Sequence, residues 1–352
     1  MPVAPEHTVP YPPGPVGTVP VGVTVASLGV LGAPGALEVA RRAEELGYRS
    51  VWVAEANGME AFSLLGALGA TAPTLSLGTG VIPIQIRTPL LVAMAGATLQ
   101  ALSPEVDVLL GIGISSPVVT GRWHGVPYGE RPLARTREHL TLVRAFLSGE
   151  RVDHDGDFFS ARGARLGVRL GERRPKLVLA ALNPGMLRLA GELADGVLLN
   201  YLPASHVAAS VAHVREGEAA AGRAEGSTTV YAYVHAGVCE RADGIDAARR
   251  DLFSYAVVDA YARNFERAGF ADEVAEIRER HAARDREGAV AAVSDRMVDA
   301  IDVMGDADRV GAAVREYVEA GVDAPVLMPL PWGKDRMAVV DATLQAAIDG
   351  VS

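Results

Sequence analysis

Residues 21–55, VGVTVASLGVLGAPGALEVARRAEELGYRSVWVAE, hold one complete strand–helix–strand unit, and its repetition decides the fold. Val21-Gly-Val-Thr-Val-Ala-Ser27 is small, apolar and β-branched, as a buried strand requires. A helix follows, with Leu37, Ala40, Ala43 and Leu46 on one face and Glu38, Arg41, Arg42 and Glu45 turned away. Gly47 stands where a C-terminal cap belongs, and Ser50-Val-Trp-Val-Ala-Glu55 reads as the next strand.

Outward from this unit the pattern recurs. Strands are expected at 75–82, 106–113, 176–181, 196–200, 228–238 and 325–330, with helices at about 60–71, 90–102, 132–148, 184–194, 205–221 and 335–349. Eight strands in strict alternation with helices favour a closed (β/α)8 barrel of the TIM type over an open sheet. Two segments interrupt it. Arg151–Phe159 reads as a hairpin turning at Asp155-Gly156, and the stretch between the last two strands is helical and charged over about 245–300. The expected organisation is a flexible arm over 1–20, crowded with prolines, and one catalytic domain over 21–350 with insertions at about 150–175 and 240–305.

Composition narrows the chemistry. The 352 residues are 49% hydrophobic, enough for a large core, and the net charge of −10 argues against nucleic acid or an anionic membrane surface as partner. Cys239 stands alone, which rules out an internal disulfide and suits a reducing compartment. The N-terminus has no basic start leading into an apolar run, and no stretch approaches the ~20 apolar residues of a spanning helix. A cytoplasmic location is expected.

In a parallel barrel, ligands meet the C-terminal ends of the strands. The second strand ends in Glu55, placed either to contact a ligand or to close the rim as an ion pair. The third runs Thr79-Gly80-Val81-Ile82-Pro83, where glycine marks a bulge or a close backbone approach. Arg87 beyond it suits a phosphate or a neighbouring acid. The fourth ends in Gly111-Ile-Gly113-Ile-Ser115-Ser116, small residues that let a phosphate or polyol chain reach backbone N–H groups. The fifth gives Ala180-Ala181-Leu182-Asn183-Pro184, in which Asn183 suits an N-cap and the helix start an anion. No His-Glu-x-x-His, nucleophile elbow or phosphate loop occurs, and Asp153, Asp155 and Asp157 fit a turn better than a calcium loop. No metal is expected, and a bound redox cofactor is an economical source of chemistry.

Taken together, these strand ends resemble the luciferase-like flavin and deazaflavin oxidoreductases, over about residues 21–345. The most specific block is Leu110–Gly125 (LGIGISSPVVTGRWHG), with Pro132–Glu138 beyond, and it is similar to the branch using coenzyme F420. Thr79-Gly80-Val81, the stretch 190–196 and Tyr261–Phe270 agree with it. The resemblance implies that Glu55 touches the deazaflavin ring and that Gly80-Val81 is the bulge, often a non-prolyl cis peptide, backing that ring. It also places residues 180–183 at the cofactor phosphate, with Asn200 nearby. The family's sugar-phosphate dehydrogenases carry His and Glu where this chain has Ala56 and Ser116, so that substrate is not expected. His124 and Trp123 suit packing as well as catalysis. The implied function is hydride transfer between F420 and a small organic substrate, with C=C or C=N reduction favoured. The proton would come from Glu55, His124, a tyrosine such as Tyr255, or water. The alternatives are an FMN-dependent monooxygenase and a non-catalytic flavin-binding relative. A homodimer is among the assemblies left open.

Overall fold

The computed structural model describes residues 19–352, so the expected arm lies outside the described residues except for its last two positions. The strands are β1 (Gly22–Thr24), β2 (Ser50–Val53), β3 (Ser76–Thr79), β4 (Ile82–Pro83), β5 (Val108–Gly113), β6 (Val152–Asp155), β7 (Ser160–Ala164), β8 (Lys176–Ala180), β9 (Gly196–Leu199), β10 (Thr229–Val238), β11 (Asp302–Gly305) and β12 (Ala324–Pro329). The helices are α1 (Gly32–Glu45), α2 (Ala61–Thr71), α3 (Pro89–Leu102), α4 (Pro132–Leu147), α5 (Pro184–Leu193), α6 (Ala204–Ala220), α7 (Arg241–Ala256), α8 (Asp259–Phe265), α9 (Ala271–Ala282), α10 (Arg286–Ala291), α11 (Asp295–Ile301), α12 (Ala307–Glu319) and α13 (Arg336–Asp349).

Parallel pairing runs β1-β2-β3-β5-β8-β9-β10-β12 and returns to β1, closing an eight-stranded barrel inside a layer of helices. This is the (β/α)8 barrel the alternation predicts. Its third strand is broken: β4 pairs with β5 beyond a cis peptide at Gly80–Val81. The hairpin is longer than the sequence suggests. Asp155 pairs with Ser160 across residues 156–159, and the second arm continues to Ala164. On α1 the buried stripe is Ala36, Val39, Ala40 and Ala43, while Leu37 and Leu46 sit at its margin.

One strand was not anticipated. Residues 241–301 are helical as expected, but β11 then pairs with the last four residues of β10, from His235↔Asp302 to Val238↔Gly305. β10 pairs with β9 only through Thr229–Ala232, so its C-terminal half projects beyond that neighbour and β11 takes over the free edge. The insertion is thereby fastened to the barrel by main-chain hydrogen bonds.

Three apolar cores result. The largest lies between barrel and helices, and a second fills the barrel with Trp52, Leu109, Val178, Tyr231, Tyr233 and Val326. The third belongs to the insertion and reaches the barrel top through Tyr201. Side chains thus fill the barrel interior, and the unusual strand-end residues gather at its mouth, on the side where the insertion is attached.

Candidate active site

The floor of the mouth is the break in the third strand. Gly80 N–H donates to Val53 O at 2.7 Å and Glu55 N–H to Val81 O at 3.1 Å, so the second strand holds both sides of the cis peptide. A Cβ on Gly80 would lie 1.9 Å from the Tyr233 hydroxyl oxygen, and one on Gly111 would lie 1.7 Å from Thr79 O. These glycines are explained by the approach of neighbouring protein atoms. At Gly111 and Gly113 the missing side chains make room for Thr79 and Val81 of the neighbouring strand.

Glu55 stands on the rim in a two-pronged pair with Arg87: Nε to Oε2 at 2.7 Å and Nη2 to Oε1 at 2.6 Å. Both oxygens therefore accept from the guanidinium. Arg87 also binds Glu60 and stacks over Phe62 at 4.9 Å. Donation to the Glu55 carboxylate raises the Arg87 pKa further. Partial burial opposes ionisation of Glu60, but bonds from Ser63 and Phe62 and the charge of Arg87 outweigh it and lower its pKa to about 2. The rim ion pair left open by the sequence is present, with Arg87 as its partner.

His124 follows the helical turn Val118–Trp123, and its Nε2 lies 2.6 Å from Ala56 O. The two catalytic candidates are thus brought to one side of the mouth. Ser116 is used locally, its Oγ accepting from Val119 N–H at 3.2 Å, whereas Ser115 is partly exposed with no bond of its own among the described residues. Opposite them, Asn183 has N-cap backbone geometry but its side chain caps nothing in α5. Instead its Oδ1 accepts from Arg267 of the insertion at 2.5 Å, and Arg267 also reaches Leu182 O at 3.3 Å. Burial and the nearby Arg263 lower the Arg267 pKa. A helix start without a side-chain cap, beside two arginines, suits an anion.

Asn200 belongs to a different group. With His235, Asp302, Asp251 and Tyr201 it forms a buried polar network where β9, β10, β11 and α7 meet. Sequence reading missed all of these but Asn200. The available signal was a histidine inside the apolar strand 229–238 and an aspartate opening the apolar run 302–304. His235, Asp251 and Asp302 also bring metal-ligand atom types within 4.8 Å of one another, a convergence invisible in their spacing along the chain. Surface grooves between α1 and α13, and beside Gln100 and Arg173, lie on the outer helices and at the opposite barrel end, away from this chemistry.

The closed barrel and its relatives make the chain a (β/α)8-barrel oxidoreductase. Residues 22–324 match the luciferase-like monooxygenase family, and the chain belongs to it. It is 31% identical over 300 residues to a 5,10-methylenetetrahydromethanopterin reductase of Archaeoglobus fulgidus, covering 84% of this chain and 89% of that protein. Among solved structures, the coenzyme F420-dependent tetrahydromethanopterin reductase of Methanopyrus kandleri shares the fold with TM-score 0.77 and 22% identity, covering 95% of this chain and all of the other. An F420-dependent secondary alcohol dehydrogenase bound to an F420–acetone adduct follows with TM-score 0.75 and 19% identity, covering 94% and 99%. No helix among the described residues is long and apolar enough to cross a membrane.

Proposed function

We propose that this protein is a coenzyme F420-dependent oxidoreductase transferring hydride between the deazaflavin and a small organic substrate, with reduction of a C=C or C=N bond favoured. The observation that carries the reading is the anion seat at the start of α5. There Asn183 leaves the first-turn N–H groups uncapped while Arg267 and Arg263 bring positive charge to the same end. Such a seat suits the phosphate of a cofactor side chain, and the Gly80–Val81 floor offers a flat backbone surface to its ring. The full-length likeness to an F420-using family branch favours the deazaflavin over other ring systems.

When bound, the deazaflavin supplies the centre that gives or accepts hydride. The chain's own part is to orient and to exclude water. The insertion meets the strand ends through Arg267 on Asn183 and Asn264 on Tyr201, Tyr233 supports the floor from below, and Arg87 holds Glu55 at the rim. Both Glu55 oxygens are occupied as acceptors, and Tyr255 is packed against Tyr201 at 3.9 Å. His124 has one ring nitrogen on Ala56 O and the other without a partner among the described residues, so we favour it as the group that gives or takes the proton. The reading requires a small-molecule substrate and neither nucleic acid nor membrane.

Titration with oxidised F420 and with FMN side by side tests the cofactor. Submicromolar F420 binding with weaker FMN binding is expected, and the reverse order would overturn it. The family description keeps an FMN-dependent monooxygenase as the second reading.

A further inference from the structure

The network around Asn200 fixes its own proton count. Tyr201 N–H donates to Asn200 Oδ1 at 2.8 Å, which settles that atom as the amide oxygen. The same oxygen lies 2.9 Å from His235 Nε2, so Nε2 must carry a proton. On the far side of the ring, Nδ1 lies 2.9 Å from Asp302 Oδ1. Two lone pairs do not face each other at that distance, so a proton lies there too.

We propose that Asp302, carried in on β11, keeps a proton on Nδ1 of His235, and that His235 thereby holds Asn200 with its amide NH2 group turned to the mouth as a donor for a bound ligand. Asp302 and His235 are positioning residues, and Asn200 makes the contact. Its Nδ2 has no partner among the described residues, and it directly follows a barrel strand, where ligands are met. A carbonyl oxygen or unprotonated ring nitrogen of a heterocycle is the acceptor this donor suits. The ligand half rests on the proposed function; the proton half does not.

The surroundings agree. Asp302 is fully buried, its Oδ2 has no hydrogen-bond partner, and His235 is its only ion-pair partner among the described residues, so the ring is the one group there that can offset a carboxylate. From α7, Asp251 faces the pair and accepts from the Tyr201 hydroxyl at 2.8 Å, and Tyr255 packs on Tyr201. From α12, Tyr317 stands near Asp302 and donates to Leu202 O at 2.6 Å. Neither side offers His235 a competing base at hydrogen-bond distance. Tyr201 itself has φ 49°, a conformation that non-glycine residues hold only when fixed from outside. Here Asn200 takes its N–H, Asn264 its carbonyl and Asp251 its hydroxyl. A divalent cation on His235 would need a free ring lone pair, and both nitrogens are engaged.

The test uses the full chain without cofactor. Long-range 1H–15N spectra at pH 7.5 are expected to show His235 protonated on both nitrogens, and Asp302→Asn, checked for folding by circular dichroism, to lose the Nδ1 proton. A neutral His235 in the wild type, or uptake of Zn2+ or Mn2+ that strips a ring proton, would overturn the proposal. For the ligand half, Asp302→Asn and Asn200→Ala should each weaken F420 binding about tenfold, with the double variant no weaker than either. Additive losses would mean that Asp302 does not act through Asn200. If neither F420 nor FMN binds the wild type, the proposed function and the ligand half fail together, while the ring spectrum still decides the proton half.

Discussion

The hydroxyl of Tyr233 donates to the carbonyl oxygen of Gly80 at 2.8 Å, joining the tenth strand to the break in the third across the barrel interior. Burial raises the Tyr233 pKa, so the hydroxyl stays protonated and keeps donating through the whole working range. Tyr233→Phe leaves a buried carbonyl without that donor. Stability should fall by about 1–3 kcal/mol in urea unfolding. An unchanged midpoint would show that water or another donor replaces the hydroxyl.

Glu55→Gln keeps the shape of the rim but removes the charge that Arg87 grips with two bonds. Loss of charge-assisted bonding is worth about 1.5–3 kcal/mol, softened because Arg87 keeps Glu60 and Phe62. A lower melting temperature is expected, together with about tenfold weaker F420 binding. Reduced stability with binding and hydride transfer intact would confine Glu55 to the rim ion pair.

Arg267→Ala should weaken F420 about tenfold and flatten the salt dependence of its binding, since one solvent-exposed cation is removed from the anion seat. Leu182→Glu, which puts a negative charge beside the start of α5, should weaken it further. Inorganic phosphate should compete with F420 in the wild type and less well in Arg267→Ala. Unchanged affinity in both folded variants would move the anion elsewhere.

The pH profile of stability follows from two buried groups with opposite signs. Burial, then the neighbouring Asp302, raise the Asp251 pKa from 3.8 to about 6. Its contribution is present below about pH 4 and is lost as pH rises through 6, a change on the order of 2–3 kcal/mol. His139 is buried and its pKa is lowered from 6.5 to about 4, chiefly by desolvation. Its contribution is present above pH 6.5 and is lost as pH falls through 4, so the two partly cancel in the wild type. The difference between Asp251→Asn and wild type isolates the first. That variant should be more stable by about 1–2 kcal/mol at pH 8, with the gain disappearing below pH 4. A constant difference across this range would contradict the assignment.

The barrel was legible in the sequence because each βα unit announces itself locally. The face of α1, the apolar runs of β5 and β10 and the glycine pair around β3 all carry their periodicity within a dozen residues. β11 was not legible: four residues between helices have no period of their own, and the strand exists only because β10 outruns β9 and leaves an edge to fill. The hairpin misled in a smaller way, since Asp155-Gly156 looks like a two-residue turn while residues 156–159 form a longer one.

The site divides along the same line. The sequence by itself determined which strand ends carry unusual residues: Glu55, Gly80, Asn183 and Asn200 each directly follow, or interrupt, an apolar run that must be a strand. What those residues touch was decided only by tertiary structure. Arg87 on Glu55, Arg267 on Asn183 and His235 between Asn200 and Asp302 join positions 32 to 84 residues apart in the chain. Periodicity is a property of neighbours along the backbone, so it can aim a side chain at the barrel mouth. Partner choice depends on which loops the closed barrel brings face to face, and no local pattern encodes that distance.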